Sequence, residues 1–149
     1  MATIIQCDFS GKFLAVNAAQ GANSQGAQLI QYDATGDGTQ QWSVEAQQQT
    51  LGGTGTYLIR NVGSNMCIDT GATQEAGTQL IQWPQNGSQT QLWNAFPIEG
   101  VASGFALQNA VSGLFMNVAG RSSDNLAAVI QWPENNAVEK NAIWVLTTA

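Results

Sequence analysis

An all-β fold of three related units, each about 50 residues long and about four strands in size, is predicted for this chain. Three observations predict it. The first is repetition. The blocks IIQCDFSGKFLA (4–15), LIRNVGSNMCID (58–69) and ALQNAVSGLFMN (106–117) align without gaps. Each is followed by a second block, AQLIQY (27–32), TQLIQW (78–83) or AAVIQW (127–132), and then by a closing tryptophan. The closing residues are spaced by 51 residues from Trp42 to Trp93 and again by 51 to Trp144. The second observation is that no window of a dozen residues sustains the apolar period of a helix. The third is that the apolar runs are short, β-branched or aromatic, and bounded by turn residues. One unit alone is too small to bury its apolar face. Propeller blades have a similar period but number four to eight per ring. Three units of four strands about a common axis therefore predict a β-trefoil with pseudo-threefold repeats at approximately 1–50, 51–100 and 101–149, forming one domain over 1–149.

Each unit reads the same way along the chain. Ile4-Ile5, Tyr57-Leu58-Ile59 and Ala106-Leu107 supply an opening strand, ended by Ser10-Gly11, Gly63-Ser64-Asn65 or Ser112-Gly113. Leu29-Ile30, Leu80-Ile81 and Val129-Ile130 supply a later strand that runs into Tyr32, Trp83 or Trp132. Pro84 and Pro133, just after the aromatic, would break a central strand and fit a strand end. Gly36-Asp37-Gly38 and Asn86-Gly87-Ser88 carry turn chemistry before the closing tryptophans, which are expected to fill the core. Asn86-Gly87-Ser88 is formally a glycosylation sequon, but its composition already accounts for it as a turn.

Composition narrows the function. Of 149 residues 44% are apolar, enough for a core, and only 9% are charged. Amides take the place of charges, with 18 Gln, 12 Asn and 16 Gly, and a surface of neutral hydrogen-bonding groups suits neutral polyhydroxylated partners. The absence of histidine excludes Ser-His-Asp and Cys-His machinery and any His-ligated metal. A net charge of −6 argues against nucleic acid and anionic membrane surfaces. No apolar run approaches the roughly 18–20 residues that span a bilayer, so membrane insertion is not expected. The opening residues show no basic segment followed by an apolar one, so a cytoplasmic location is expected, or release without a leader. Cys7 and Cys67 are expected to be buried, unpaired thiols. The carboxylate pairs Asp69/Glu75 and Asp33/Asp37 flank Gly71 and Gly36, where turn roles explain them; neither an enzyme nor a cofactor is expected.

The triplets QQW (40–42) and QLW (91–93), with NAIW (141–144) in the third unit, resemble the QxW repeats of ricin B-chain-like β-trefoil lectins, over nearly the whole chain. The third copy departs, with Ala142 in place of Gln and two extra residues between Trp132 and Trp144. The resemblance implies a carbohydrate-binding module with up to three shallow sites for galactose or N-acetylgalactosamine glycans. In each, an aromatic stacks on the sugar and an upstream acid or amide takes its hydroxyls. In repeat two that set is Asp69, Trp83 and Gln91, with Gln82 beside the platform; in repeat three it is Asn117, Trp132 and Asn141. Repeat one has Ala15 at the acid position and Thr39 at the amide position. There Tyr32 can still stack, with Asn17, two residues on, substituting for Ala15, or the repeat is kept for structure alone. Gln40 and Gln91 are expected to brace loops. Gln85 stands where many relatives have the partner of Cys67, so the intra-repeat disulfide of those relatives is absent. A homodimer would add avidity to any set of sites. The competing expectation is a trefoil that inhibits proteases through its loops, since one fold hosts many functions.

Overall fold

The computed structural model describes residues 2–49, 55–135 and 137–149. Among the described residues twelve strands fall four to a repeat. They are β1 (Thr3–Cys7), β2 (Phe13–Val16), β3 (Leu29–Tyr32) and β4 (Trp42–Gln49) in the first repeat, and β5 (Gly55–Asn61), β6 (Cys67–Asp69), β7 (Ile81–Trp83) and β8 (Leu92–Pro97) in the second. The third holds β9 (Gly104–Asn109), β10 (Phe115–Val118), β11 (Val129–Trp132) and β12 (Trp144–Thr148). The first and last strands of the repeats pair antiparallel in the cyclic order β1-β4-β5-β8-β9-β12 and back to β1, closing a six-stranded barrel with no free edge. The middle strands form three hairpins, β2–β3, β6–β7 and β10–β11. This is the expected β-trefoil.

The closing tryptophans are core. Trp42, Trp93 and Trp144 have no exposed surface. An indole N–H cannot be buried without an acceptor at small cost. Here each donates to a carbonyl of its own repeat's hairpin, Leu14 at 3.1 Å, Ile68 at 3.2 Å and Met116 at 2.9 Å. Around them pack Ile5, Leu14, Leu29, Ile59, Leu80, Met116 and Val129. The hairpins meet one another through Leu29 N–H on the Leu80 carbonyl and Leu80 N–H on the Val129 carbonyl, both at 2.9 Å.

A second threefold device ties the repeats together. Gln31, Gln82 and Gln131, the glutamines of the second blocks, are fully buried. Each donates its amide to two carbonyls of another repeat: Gln31 to Ser122 and Asp124, Gln82 to Ala22 and Ser24, Gln131 to Thr73 and Glu75. Each accepts a hydroxyl from its own repeat, from Ser10, Ser64 or Ser112. Three good bonds per amide make these buried polar groups stabilising rather than costly. Cys7 and Cys67 are buried and unpaired, and burial pushes the Cys67 thiol above its ordinary pKa.

Candidate functional site

Five tryptophans divide into two classes by exposure. The three closing ones have none, whereas Trp83 is 38% and Trp132 46% exposed. The exposed pair, with Tyr32 at 36%, ends the second strand of each hairpin. Hairpin register places an upstream residue on the same face as the aromatic. Asp69 pairs with Ile81, two residues before Trp83; Asn117 pairs with Ile130, two before Trp132; Ala15 pairs with Ile30, two before Tyr32. A depression opens at each place, of about 300 Å³ at Asp69 and Trp83, about 460 Å³ at Asn117 and Trp132, and about 290 Å³ at Ala15 and Tyr32.

Each platform is backed by a different repeat. A Cβ on Gly26 would stand 3.8 Å from Cζ3 of Trp83, and one on Gly77 would stand 3.6 Å from Cζ3 of Trp132. Both glycines have positive φ, +82° and +90°, which favours a residue without a side chain, and at those distances a Cβ would make ordinary contact with the indole. Their N–H groups donate to Gln82 and Gln131 carbonyls, and the equivalent Leu126 N–H donates to that of Gln31. Leu126 accordingly lines the depression of the smaller Tyr32.

In repeat two Asp69 is 3% exposed. Its Oδ1 accepts the Gly71 N–H at 3.0 Å and its Oδ2 accepts Nε2 of Gln91 at 3.0 Å. Gln91 also donates to the Pro84 carbonyl at 2.9 Å and accepts the Asn86 N–H at 3.2 Å. It ends the 3-10 turn Gln89–Gln91, which aims it inward, and it joins the acid to the loop that follows the platform. The same loop is held from its other side. Arg60 forms a two-pronged ion pair with Glu45 at 2.9 and 3.1 Å, and donates to Oε1 of Gln85 at 2.8 Å. Gln85, at the position of the missing disulfide partner, thus takes part in a hydrogen-bonded tether.

In repeat three Asn117, 4% exposed, accepts Nδ2 of Asn141 at 3.0 Å, and that nitrogen also donates to the Val118 carbonyl at 3.0 Å. Oδ1 of Asn141 is buried without a partner among the described residues. The longer loop is closed by Glu134, which accepts the Glu139 N–H at 2.8 Å; burial holds the Glu134 carboxyl above its ordinary pKa. Arg121, on the rim, pairs with Glu139 at 3.3 Å and lies 5.4 Å from the centroid of the Phe9 ring.

Repeat one has the brace without the acid. Gln40 accepts the Thr35 N–H at 2.8 Å and donates to the Asp33 carbonyl at 2.7 Å, but Ala15 gives it nothing to orient. The oxygen of Asn17 caps Ala19 N–H at 3.1 Å, and Asp37 is engaged by Thr39.

Most of the predicted residues converge as sets: Asp69 with Trp83, Asn117 with Asn141 and Trp132, and Tyr32 in its own depression. Gln82 requires a correction. It is fully buried, with its amide directed at Ala22, Ser24 and Ser64, so it joins repeats and does not face the depression. Gln91 is likewise buried and stands behind Asp69. Glu134, Gly77 and Leu126 went unnoticed in the sequence. The two-residue insertion is the one signal that singles out the loop bearing Glu134. Among the described residues no group of three His, Cys, Asp or Glu side chains is arranged to hold a metal, and no helix is long and apolar enough to cross a membrane.

Comparison with known proteins places this geometry. A search of curated protein sequences finds no match. Among solved structures, the designed 3-fold symmetric protein ThreeFoil is 27% identical with a TM-score of 0.85, covering 99% of both chains. The exo-β-1,3-galactanase 1,3Gal43A of Clostridium thermocellum is 26% identical with a TM-score of 0.84, over 99% of this chain but 30% of the galactanase. The Macrolepiota procera ricin B-like lectin, in complex with lactose, shares the fold at 16% identity and a TM-score of 0.73, covering 97% of this chain and 93% of its own. A family model described as ricin-type beta-trefoil lectin domain-like matches residues 3–83 and 45–132. With three four-stranded repeats on a closed barrel and that match across most of its length, the chain belongs to the ricin-type β-trefoil lectin-like family.

Proposed function

We propose that the chain is a lectin for galactose- and N-acetylgalactosamine-type glycans, bound at shallow sites in repeats two and three. One observation carries this: twice, an exposed tryptophan shares a depression with a nearly buried Asp or Asn held by hydrogen bonds, at equivalent places in the fold. A pyranose has one face rich in C–H groups and an edge of hydroxyls. An indole supplies area to the first, and a fixed acceptor or donor orients the second. A hydroxyl desolvated without a partner costs about 1–3 kcal/mol, which suffices to reject the wrong epimer. Membership of a lectin-like family supports carbohydrate binding. The galactosyl preference is supported by lactose in the Macrolepiota lectin and by the galactanase likeness. Tyr32 makes a third, weaker platform, because Ala15 offers no polar group.

Sites this open hold one sugar with a Kd on the order of 0.1–1 mM, about 4–5.5 kcal/mol, and two on one rigid body gain avidity on a multivalent surface. The test is a glycan array with labelled, folded protein. Signal on terminal galactosides or N-acetylgalactosaminides is expected; a blank array would overturn the proposal. With Trp132→Ala already in place, Asp69→Ala should remove most of the remaining signal while the fold persists.

A further inference from the structure

The two sites have opposite hydrogen-bonding character, and the backbone dictates it. In repeat two the Pro84 carbonyl can only accept and the Asn86 N–H can only donate, so the amide of Gln91 has one possible orientation. Its nitrogen therefore faces Asp69, and Asp69, as a carboxylate, offers a ligand acceptors alone. In repeat three the Val118 carbonyl fixes the nitrogen of Asn141 in the same way, and that nitrogen also reaches Oδ1 of Asn117. Asn117 must then turn its oxygen toward Asn141. Its Nδ2, with two N–H donors and no partner among the described residues, is what remains for a ligand in the depression it lines.

The rest of that depression differs in the same direction. It measures about 460 Å³ against about 300 Å³ in repeat two. Glu134 adds a carboxylate with one oxygen not engaged by the Glu139 N–H, and Ile130, Pro133 and Ala137 add apolar wall. A group with an acceptor, a donor and a methyl meets all three needs, and an acetamido substituent is that group. A sugar carboxylate fits less well: Arg121 is already engaged by Glu139, and Glu134 would repel an anion.

Resting on the lectin proposal above, we infer that repeat three is a 2-acetamido-sugar site whose selectivity is set by the donor of Asn117, whereas Asp69 in repeat two selects a ring hydroxyl. The chain then presents two different specificities on one rigid body. Each site is isolated by removing the other platform, Trp83→Ala to leave repeat three and Trp132→Ala to leave repeat two. Both are titrated with methyl β-galactoside and with its 2-acetamido-2-deoxy counterpart, following the indole N–H resonance of the remaining exposed tryptophan. In the unaltered chain the two exposed indoles report separately, so the comparison does not depend on the variants folding. Repeat three should bind the acetamido sugar at least about tenfold more tightly than the plain galactoside, about 1.4 kcal/mol. Repeat two should show no such preference. Adding Asn117→Asp, which turns the donor into an acceptor of the Asp69 kind, should bring the ratio in repeat three to within about threefold of unity. Equal binding of both sugars in repeat three, or a preference that survives Asn117→Asp, overturns the inference and leaves the lectin proposal standing. No response to either sugar at either site overturns both.

Discussion

Replacing Thr70 with valine should stabilise the fold. Thr70 comes directly after Asp69, the last residue of β6, and is 1% exposed, with its hydroxyl buried and without a partner among the described residues. The equivalent residues of the other repeats are Val16 and Val118, equally buried at 2% and 0% exposed. Threonine and valine are nearly isosteric, so the substitution exchanges a desolvated hydroxyl for a methyl that the neighbouring repeats already accommodate. An unpaired buried hydroxyl costs about 1–3 kcal/mol, and a gain of about 1–2 kcal/mol is expected. For a chain of this length that is a rise in Tm of about 3–6 °C. Urea unfolding followed by circular dichroism should show a higher midpoint with an unchanged slope, the signature of altered stability without altered compactness. Thr70→Ser, which keeps the hydroxyl and loses the methyl, should be destabilised. A Thr70→Val protein no more stable than its parent would refute the reasoning, since the hydroxyl would then have a partner worth as much as the methyl.

Other outcomes follow from the same contacts. Gln82→Leu should destabilise by about 3–5 kcal/mol in urea unfolding, because the Ala22 and Ser24 carbonyls and the Ser64 hydroxyl lose their partner in a buried seam; a mild effect with lost sugar binding would restore it to the site. Stability should fall as pH drops below about 4. Glu45 is held below its ordinary value by Arg60, Asp33 by Lys12 and Asp37 by Thr39, so their contribution is present above the unfolded values and lost as pH falls through the folded ones. Glu134 runs the other way. Burial raises its pKa, so its favourable, protonated form is lost as pH rises above the ordinary 4.5. Glu134→Gln should therefore raise the urea midpoint at pH 7 and leave it unchanged at pH 3.

Much of this was legible along the chain, for reasons particular residues make plain. Trp42, Trp93 and Trp144 recur at one interval, and a residue that fills the same part of a threefold core must do so. Trp83 and Trp132 were separable from them because a proline follows each of these two, and a strand ending there leaves its last side chain at the surface. Gln82 was misplaced although the means to place it were at hand. Side chains alternate along a strand, so a glutamine between Ile81 and Trp83 points away from the face they share. Its location beside an exposed aromatic suggests a site; the two carbonyls its amide meets lie about 60 residues upstream, in another repeat. The backing of Trp83 by Gly26 and of Trp132 by Gly77 was hidden for the same reason, since it exists only once three hairpins close on one axis. The donor left on Asn117 depends on which atom of Asn141 faces the Val118 carbonyl, and no spacing carries that.

The most direct measurement is a titration of methyl β-galactoside into protein labelled with nitrogen-15 at tryptophan. Five indole signals are expected, three from buried rings bonded to backbone carbonyls and two from exposed platforms. Binding at the proposed sites should shift Trp83 and Trp132 with increasing sugar, while Trp42, Trp93 and Trp144 stay in place. If the sugar moves none of the indoles, or binds to folded protein without touching the exposed pair, the platforms are not where glycans bind and the central claim is wrong.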